Sequence, residues 1–257
     1  MPPAVPADVP GPGSPEPRPW QRDLDPALWR TQDERRSRLV SQGQAALKRL
    51  DARAVRSGRL SPQPYNLTIS HRHRFVWFQV AKAATRTVLY HLNERGVALE
   101  VWGALRVRYP TELFADYTSF AVVRHPQTRL VSAWRDKVVN QNYFGFSERE
   151  HRQMQDLASF VAWVADQPLR DVGSVDQHIA LQTRLVDLNE VDLLGRVETL
   201  DVDLPRICRA IGVPSPDETT RRLNVSAGPP PDVAPAVLSR VADVYRRDFE
   251  ILGYEPA

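Results

Sequence analysis

Short apolar runs alternate along most of this chain with longer stretches of helical spacing. Phe75–Val80 is a short apolar run broken only by Gln79, as in a strand covered on both faces. Ala84–Glu94 carries Val88, Leu89 and Leu92 on helical spacing, with Gly96 as a stop. Val97–Trp102 and Ser119–Val123 read as two further strands. Pro126 then opens a helix to about Asn140, with Leu130, Trp134 and Val138 on one face. Leu157–Ala165 and Val175–Leu185 have helix-length patterns, Leu193–Val197 reads as a strand, and Leu204–Ile211 as a helix closed by Gly212. Val237, Val241, Val244, Tyr245, Phe249 and Leu252 form one C-terminal amphipathic helix. This alternation predicts an α/β domain over residues 61–257, built on a parallel sheet.

The first quarter has a different texture. Eight of the 22 prolines fall within the first 20 residues, so residues 1–25 read as a disordered Pro-rich tail. Residues 26–60 form an arginine-rich helical extension. Its weak apolar stripe (Leu39, Val40, Ala46, Leu47, Leu50) suits packing on the core. No internal repeat is present.

Composition narrows the class. A chain of 257 residues with 42% hydrophobic and 25% charged residues can bury a full core. A net charge of +3 suits a small anionic ligand better than nucleic acid. The single cysteine, Cys208, has no intramolecular disulfide partner. No apolar stretch reaches membrane-span length, and no signal pattern opens the chain. Asn66-Leu-Thr68 and Asn224-Val-Ser226 therefore read as chance glycosylation sequons. The expected setting is cytoplasmic, and the Arg/Ala/Val/Pro bias suits a bacterium of high genomic GC.

Two strand-loop-helix segments carry the candidate chemistry. In Phe75-Val-Trp-Phe-Gln-Val-Ala-Lys-Ala-Ala-Thr-Arg-Thr87 an apolar run breaks into a small, hydroxyl-rich loop. Helix-start amides there favour phosphate, and Lys82, Thr85 and Thr87 add donors while Ala83 and Ala84 allow close approach. There is no glycine between 61 and 95 and no GK[ST], so this is not a Walker loop. The second run, Phe120–Lys137, places Arg124 at a strand end and Arg129 and Ser132 on the next helix. A guanidinium and a hydroxyl there suit a second phosphate, unless Arg124 and Arg129 simply pair with carboxylates such as Asp136. Two such sites suit a nucleotide phosphorylated at both 5′ and 3′ positions.

With both runs in view, the chain resembles the PAPS-dependent sulfotransferases, particularly the carbohydrate-type branch, sulfotransferase family 2. Ala81-Lys82-Ala83-Ala84-Thr85-Arg86-Thr87 is similar to that family's 5′-phosphosulfate loop, Pro-Lys-Thr-Ala/Gly-Ser/Thr-x-Ser/Thr. Arg124-His-Pro-Gln-Thr-Arg-Leu-Val-Ser-Ala-Trp-Arg-Asp-Lys137 is similar to its 3′-phosphate motif. Asp176-Gln-His-Ile-Ala-Leu-Gln182, Gly195-Arg-Val-Glu-Thr-Leu200, Asn224-Val-Ser226 and Tyr245-x-x-Asp248-Phe249 follow in the family's order. Ala81 departs from the usual proline, and Arg86 stands where small polar residues are common.

The resemblance implies an α/β, P-loop-like three-layer fold with a central parallel sheet flanked by helices. It implies PAPS as donor, PAP as product and no metal. Lys82, Ala83, Ala84, Thr85, Arg86, Thr87, Arg124 and Ser132 become the cofactor-binding set. Lys82 becomes the stabiliser of the leaving phosphate and His178 the leading general base. His178 is equally well read as a buried, hydrogen-bonded histidine. His91 is a second candidate base, His125 belongs to the binding turn, and Glu198 reads as a structural acid at the start of a helix. His71-x-His73 lacks a third metal ligand. The acceptor is a hydroxyl, less readily an amine, of a carbohydrate or small metabolite. Residues 140–175 and the N-terminal helix shape its pocket, where Trp102, Tyr143, Phe144 and Trp163 either stack on it or belong to the core. Neither nucleic acid nor a membrane span is expected. A nucleotide-dependent kinase and a non-catalytic PAP-binding module remain the competing readings.

Overall fold

The computed structural model describes residues 60–171, 173–216 and 233–256. The predicted Pro-rich tail, nearly all of the 26–60 extension and Asn224-Val-Ser226 lie outside them. Five strands form one sheet: β1 (Tyr65–Ser70), β2 (Phe75–Phe78), β3 (Val101–Val107), β4 (Thr118–Val123) and β5 (Leu193–Arg196). Among the described residues seven helices accompany them: α1 (Thr85–Glu94), α2 (Pro126–Trp134), α3 (Glu148–Met154), α4 (Leu157–Ala165), α5 (Leu200–Ala210), α6 (Pro235–Val244) and α7 (Arg246–Leu252).

The strand order is β3-β1-β2-β4-β5. β2, β4 and β5 run parallel, while β1 is antiparallel to both β2 and β3. The sheet is therefore mixed, which corrects the expectation of a parallel sheet. The difference is β1, whose apolar positions alternate with Asn66, Thr68 and Ser70. All six of its residues are nevertheless buried. Its polar side chains are hydrogen-bonded: Thr68 Oγ1 accepts from Gln79 Nε2 and from Gly103 N, at 2.9 and 3.0 Å, and Asn66 Nδ2 donates to Gln177 Oε1 at 2.6 Å. β1 then turns into β2 through the 71–74 connection, where Arg74 takes φ 51.

Alternation along β2 and β4 sends side chains to opposite faces. Phe75, Trp77, Phe120 and Val122 pack with Val88 and Leu92 of α1 and Leu204 and Ile207 of α5. Val76, Phe78, Ala121 and Val123 pack with Leu130 of α2, Phe160 and Val164 of α4, and Val241 of α6. Helices thus cover both faces, giving three layers. Each large apolar side chain so buried contributes about 1.5–3 kcal/mol.

Three further expectations shift. The third strand begins at Val101 rather than Val97, where pairing with Ile69 starts. Val97 is still occupied in closing α1, its N–H donating to Leu92 O at 3.0 Å. The C-terminal helix is two helices, broken at Tyr245 (φ −104, ψ 20). Val175–Leu185, expected as a helix, is a series of turns with one 3₁₀ turn at Gln182–Arg184. Side chains there take the backbone groups a helix needs. His178 N donates to Asp176 Oδ1, Gln182 N to Asp248 Oδ2 and Thr183 N to Asp248 Oδ1, at 2.8–3.0 Å. α2 continues to Val139 as predicted, but as a π turn over Arg135–Val139 in which Asn140 N reaches Arg135 O at 3.0 Å.

Candidate functional site

The carboxyl ends of β2, β4 and β5 share one edge of the sheet, where open α/β sheets bind ligands. The 79–84 loop leaves β2 at that edge. Thr85 Oγ1 donates to Val80 O at 2.9 Å, and Ala83 N to Val80 O at 3.3 Å, which folds the loop back on itself. Lys82 (φ 68) and Ala84 (φ 57) are left-handed although neither is glycine. Such conformers cost an L-residue about 1–2 kcal/mol each. The strained turn leads directly into the start of α1. That helix start has no side-chain cap and no acidic residue in its first turn. An uncapped helix N-terminus with strained backbone ahead of it is suited to an anion.

Lys82 is mostly buried, with its side chain 17% exposed. Its Nζ donates to Asp136 Oδ2 at 2.9 Å, and Lys137 Nζ lies 3.3 Å from the same oxygen. Burial pushes the Lys82 ammonium down in pKa, and the Asp136 carboxylate only partly offsets this. Burial also opposes ionisation of Asp136, but the Lys82 and Lys137 contacts outweigh it and hold that carboxyl below its ordinary range. The π turn is what brings Asp136 and Lys137 to this place.

Arg124 follows β4 directly. Gln182 fixes its backbone, accepting from Arg124 N at 2.9 Å and donating to Arg124 O at 2.7 Å. The guanidinium donates to Thr128 Oγ1 at 3.0 Å and approaches Lys82 O at 3.4 Å. Burial lowers its pKa. The two cationic segments, forty residues apart in sequence, therefore meet. Ser132 lies buried on α2 with no side-chain partner among the described residues.

Arg129 is not a ligand-facing group. It is fully buried and donates to three backbone carbonyls: Ala81 O at 3.0 Å, Ala180 O at 2.8 Å and Gln177 O at 2.8 Å. Neither it nor Arg124 pairs with Asp136. One guanidinium thus holds the Lys82 loop beside the 177–180 turns. Tyr245 Oη supports the same turns by donating to Ile179 O at 2.7 Å.

His178 sits in those turns. Its Nδ1 is 2.7 Å from Asp176 Oδ1, and Tyr143 Oη donates to Asp176 Oδ2 at 2.9 Å. The Tyr143 and His178 rings meet edge to face at 5.1 Å, and Lys137 Nζ lies 4.3 Å from the Tyr143 ring centre. A continuous polar chain runs from Lys82 through Asp136, Lys137, Tyr143 and Asp176 to His178. Burial works against the Asp176 carboxylate, but hydrogen bonds from His178 outweigh it and hold the carboxyl down at about 2.

The other candidates separate cleanly. His91 is buried, its Nε2 hydrogen-bonded to Pro214 O at 3.0 Å, away from the loop. His125 N donates to Glu198 Oε1 at 2.8 Å, and Tyr254 Oη donates to Glu198 Oε2 at 3.1 Å, so Glu198 braces the start of α2. Arg86 is exposed and Thr87 buried on α1. Phe144 and Trp163 belong to an aromatic cluster with ring centres 5.0 Å apart, Trp102 is exposed on β3, and Tyr143 alone joins the site. Among the described residues no three His, Cys, Asp or Glu side chains form a metal-holding group, and no helix is long and apolar enough to cross a membrane. A groove of about 460 Å³ lined by Leu169, Arg170, Asp171, Leu181 and Asp243 includes none of the predicted site residues. Cations and helix amides mark the site. Sequence reasoning missed the parts played by Asp136 and Asp176. The signal for Asp176 was present, an acid two residues before His178.

The chain is thus an α/β protein with a mixed sheet that carries a cationic loop at the carboxyl edge of its parallel strands. A family model described as the sulfotransferase family matches residues 104–255, more than half of the chain. The chain belongs to the sulfotransferase family. The match contains the whole Arg124–Lys137 run and starts after the Lys82 loop. No curated protein and no solved structure matches the chain.

Proposed function

We propose that this sulfotransferase moves a sulfuryl group from PAPS to a hydroxyl of a carbohydrate or small-metabolite acceptor and releases PAP. An amine is the less favoured nucleophile. The observation that carries the reading is the meeting of Lys82 and its uncapped α1 start with Arg124, whose guanidinium approaches the Lys82 carbonyl at 3.4 Å. Positive charge is thereby offered at two neighbouring positions, as a 5′,3′-bisphosphorylated nucleotide requires.

In this reading the α1 amides and Lys82 hold the 5′ end, and Arg124 and Ser132 the 3′-phosphate. The core would be P-loop-like in use without Walker glycines. The acceptor hydroxyl gives its proton to His178 Nε2 as its oxygen bonds to sulfur. The bond from sulfur to the phosphate oxygen breaks, and its electron pair leaves with PAP. Lys82 and the amides stabilise charge gathering on that oxygen. Lysine and backbone donors supply this potential without a metal. The single cysteine, buried Cys208, fits a cytoplasmic setting.

The test is turnover of PAPS by the Lys82→Ala variant. The reading expects a loss of two or more orders of magnitude, with PAP binding weakened much less. Turnover near that of the natural chain would remove Lys82 from the chemistry. Phosphoryl transfer from ATP in place of sulfuryl transfer from PAPS would favour a kinase.

A further inference from the structure

We propose that Asp176 is a positioning residue that fixes the tautomer of His178, keeping the proton on Nδ1 and leaving Nε2 to receive the acceptor's proton. This rests on the sulfuryl-transfer reading above and deepens it.

The geometry is specific. His178 Nδ1 and His178 N both lie within 2.8 Å of Asp176 Oδ1, at 2.7 and 2.8 Å, so one carboxylate oxygen clamps the residue at ring and backbone. A carboxylate only accepts, so a neutral imidazole facing it must place its hydrogen on Nδ1. The second oxygen is occupied by Tyr143 Oη at 2.9 Å, which prevents the carboxylate from rotating away. Nε2 has no partner among the described residues, and the His178 side chain stays 13% exposed. The turns carrying the pair are themselves immobilised. Arg106 donates to Gly173 O and Val175 O, both at 3.0 Å, and Arg129 and Tyr245 hold Gln177, Ile179 and Ala180. A proton arriving at Nε2 makes an imidazolium that the Asp176 carboxylate already faces. No proton passes to Asp176.

The test combines nitrogen NMR of ¹⁵N-histidine-labelled protein with turnover. In the natural chain, neutral His178 should show a bare Nε2 and a protonated Nδ1. Asp176→Ala should mix the tautomers and lower kcat roughly 10–100-fold while KM for PAPS stays put, a loss below that of the base itself. Asp176→Asn, which carries no charge to face the imidazolium and can turn its amide N–H toward Nδ1, should also lower kcat and loosen the hold on the tautomer. In a His178→Ala background, Asp176→Ala should cost nothing further, whereas a purely structural Asp176 would still cost activity. A protonated Nε2 in the natural chain, or an undiminished kcat in Asp176→Ala, overturns the proposal. The tautomer is read without turnover, so failure of the sulfuryl-transfer reading is distinguished from failure of this one.

Discussion

At the scale of single residues, the site is defined by groups kept in unfavourable states. Lys82 is both left-handed and mostly buried, and its ammonium leans on Asp136. Such an arrangement suits a cation that exchanges one oxyanion partner for another. Ala84 is a cleaner measure of the strain, because its side chain enters no hydrogen bond. At φ 57 it needs the freedom of glycine. Ala84→Gly should therefore raise unfolding stability by about 1 kcal/mol, read by urea denaturation. An unchanged or lower stability would show that the loop is not strained there. Lys82 was legible as a site residue because an apolar run broken by a small, cationic loop is a local pattern. The Asp136 contact was not, because it depends on a π turn 54 residues away.

At the scale of elements, the decisive segment is the stretch of turns at 173–185. Its apolar spacing resembles a helix, but backbone groups are taken by side chains from elsewhere: Arg129, Tyr245 and Asp248. No local rule contains those partners, which is why the helix expectation failed while α1, α2, α4 and β4 were readable. The missed α3 did carry a local signal, a capping box between Ser147 and Glu150. The C-terminal Tyr245-x-x-Asp248 pattern now has a physical role, since it holds the turns that carry His178. Tyr245→Phe leaves Ile179 O without its 2.7 Å donor. The expected outcome is a loss of about 1–3 kcal/mol. Faster amide exchange confined first to residues 177–183 should accompany it. Exchange unchanged in that segment would contradict the role.

At the scale of the whole molecule, three layers share one sheet whose antiparallel half was only partly legible: β1 went unread, and β3 was expected from Val97 rather than Val101. That half is tied to the parallel half partly through a buried carboxyl. Tyr109 Oη, just after β3, donates to Asp187 Oδ2 at 3.0 Å, a few residues before β5. Burial raises the Asp187 pKa to about 7, with Glu190 adding to the rise and the Tyr109 bond opposing it. The folded state therefore keeps a proton that the unfolded chain, with its ordinary carboxylate, releases near pH 4. The Asp187 contribution is complete below about pH 4 and is lost as pH rises through about 7. Asp187→Asn, neutral throughout and still able to accept from Tyr109, should gain stability relative to the natural chain between pH 4.5 and 7.5. A difference that does not grow with pH in urea denaturation would contradict this.

The central claim is that two phosphate sites, one at the α1 start with Lys82 and one at Arg124 and Ser132, act on a single nucleotide. Calorimetric titration of PAP against AMP tests it most directly, because the two differ only in the 3′-phosphate. PAP should bind about 10–100-fold more tightly, the worth of one charged hydrogen-bonding contact. Equal affinities for the two nucleotides would contradict the pairing of the sites.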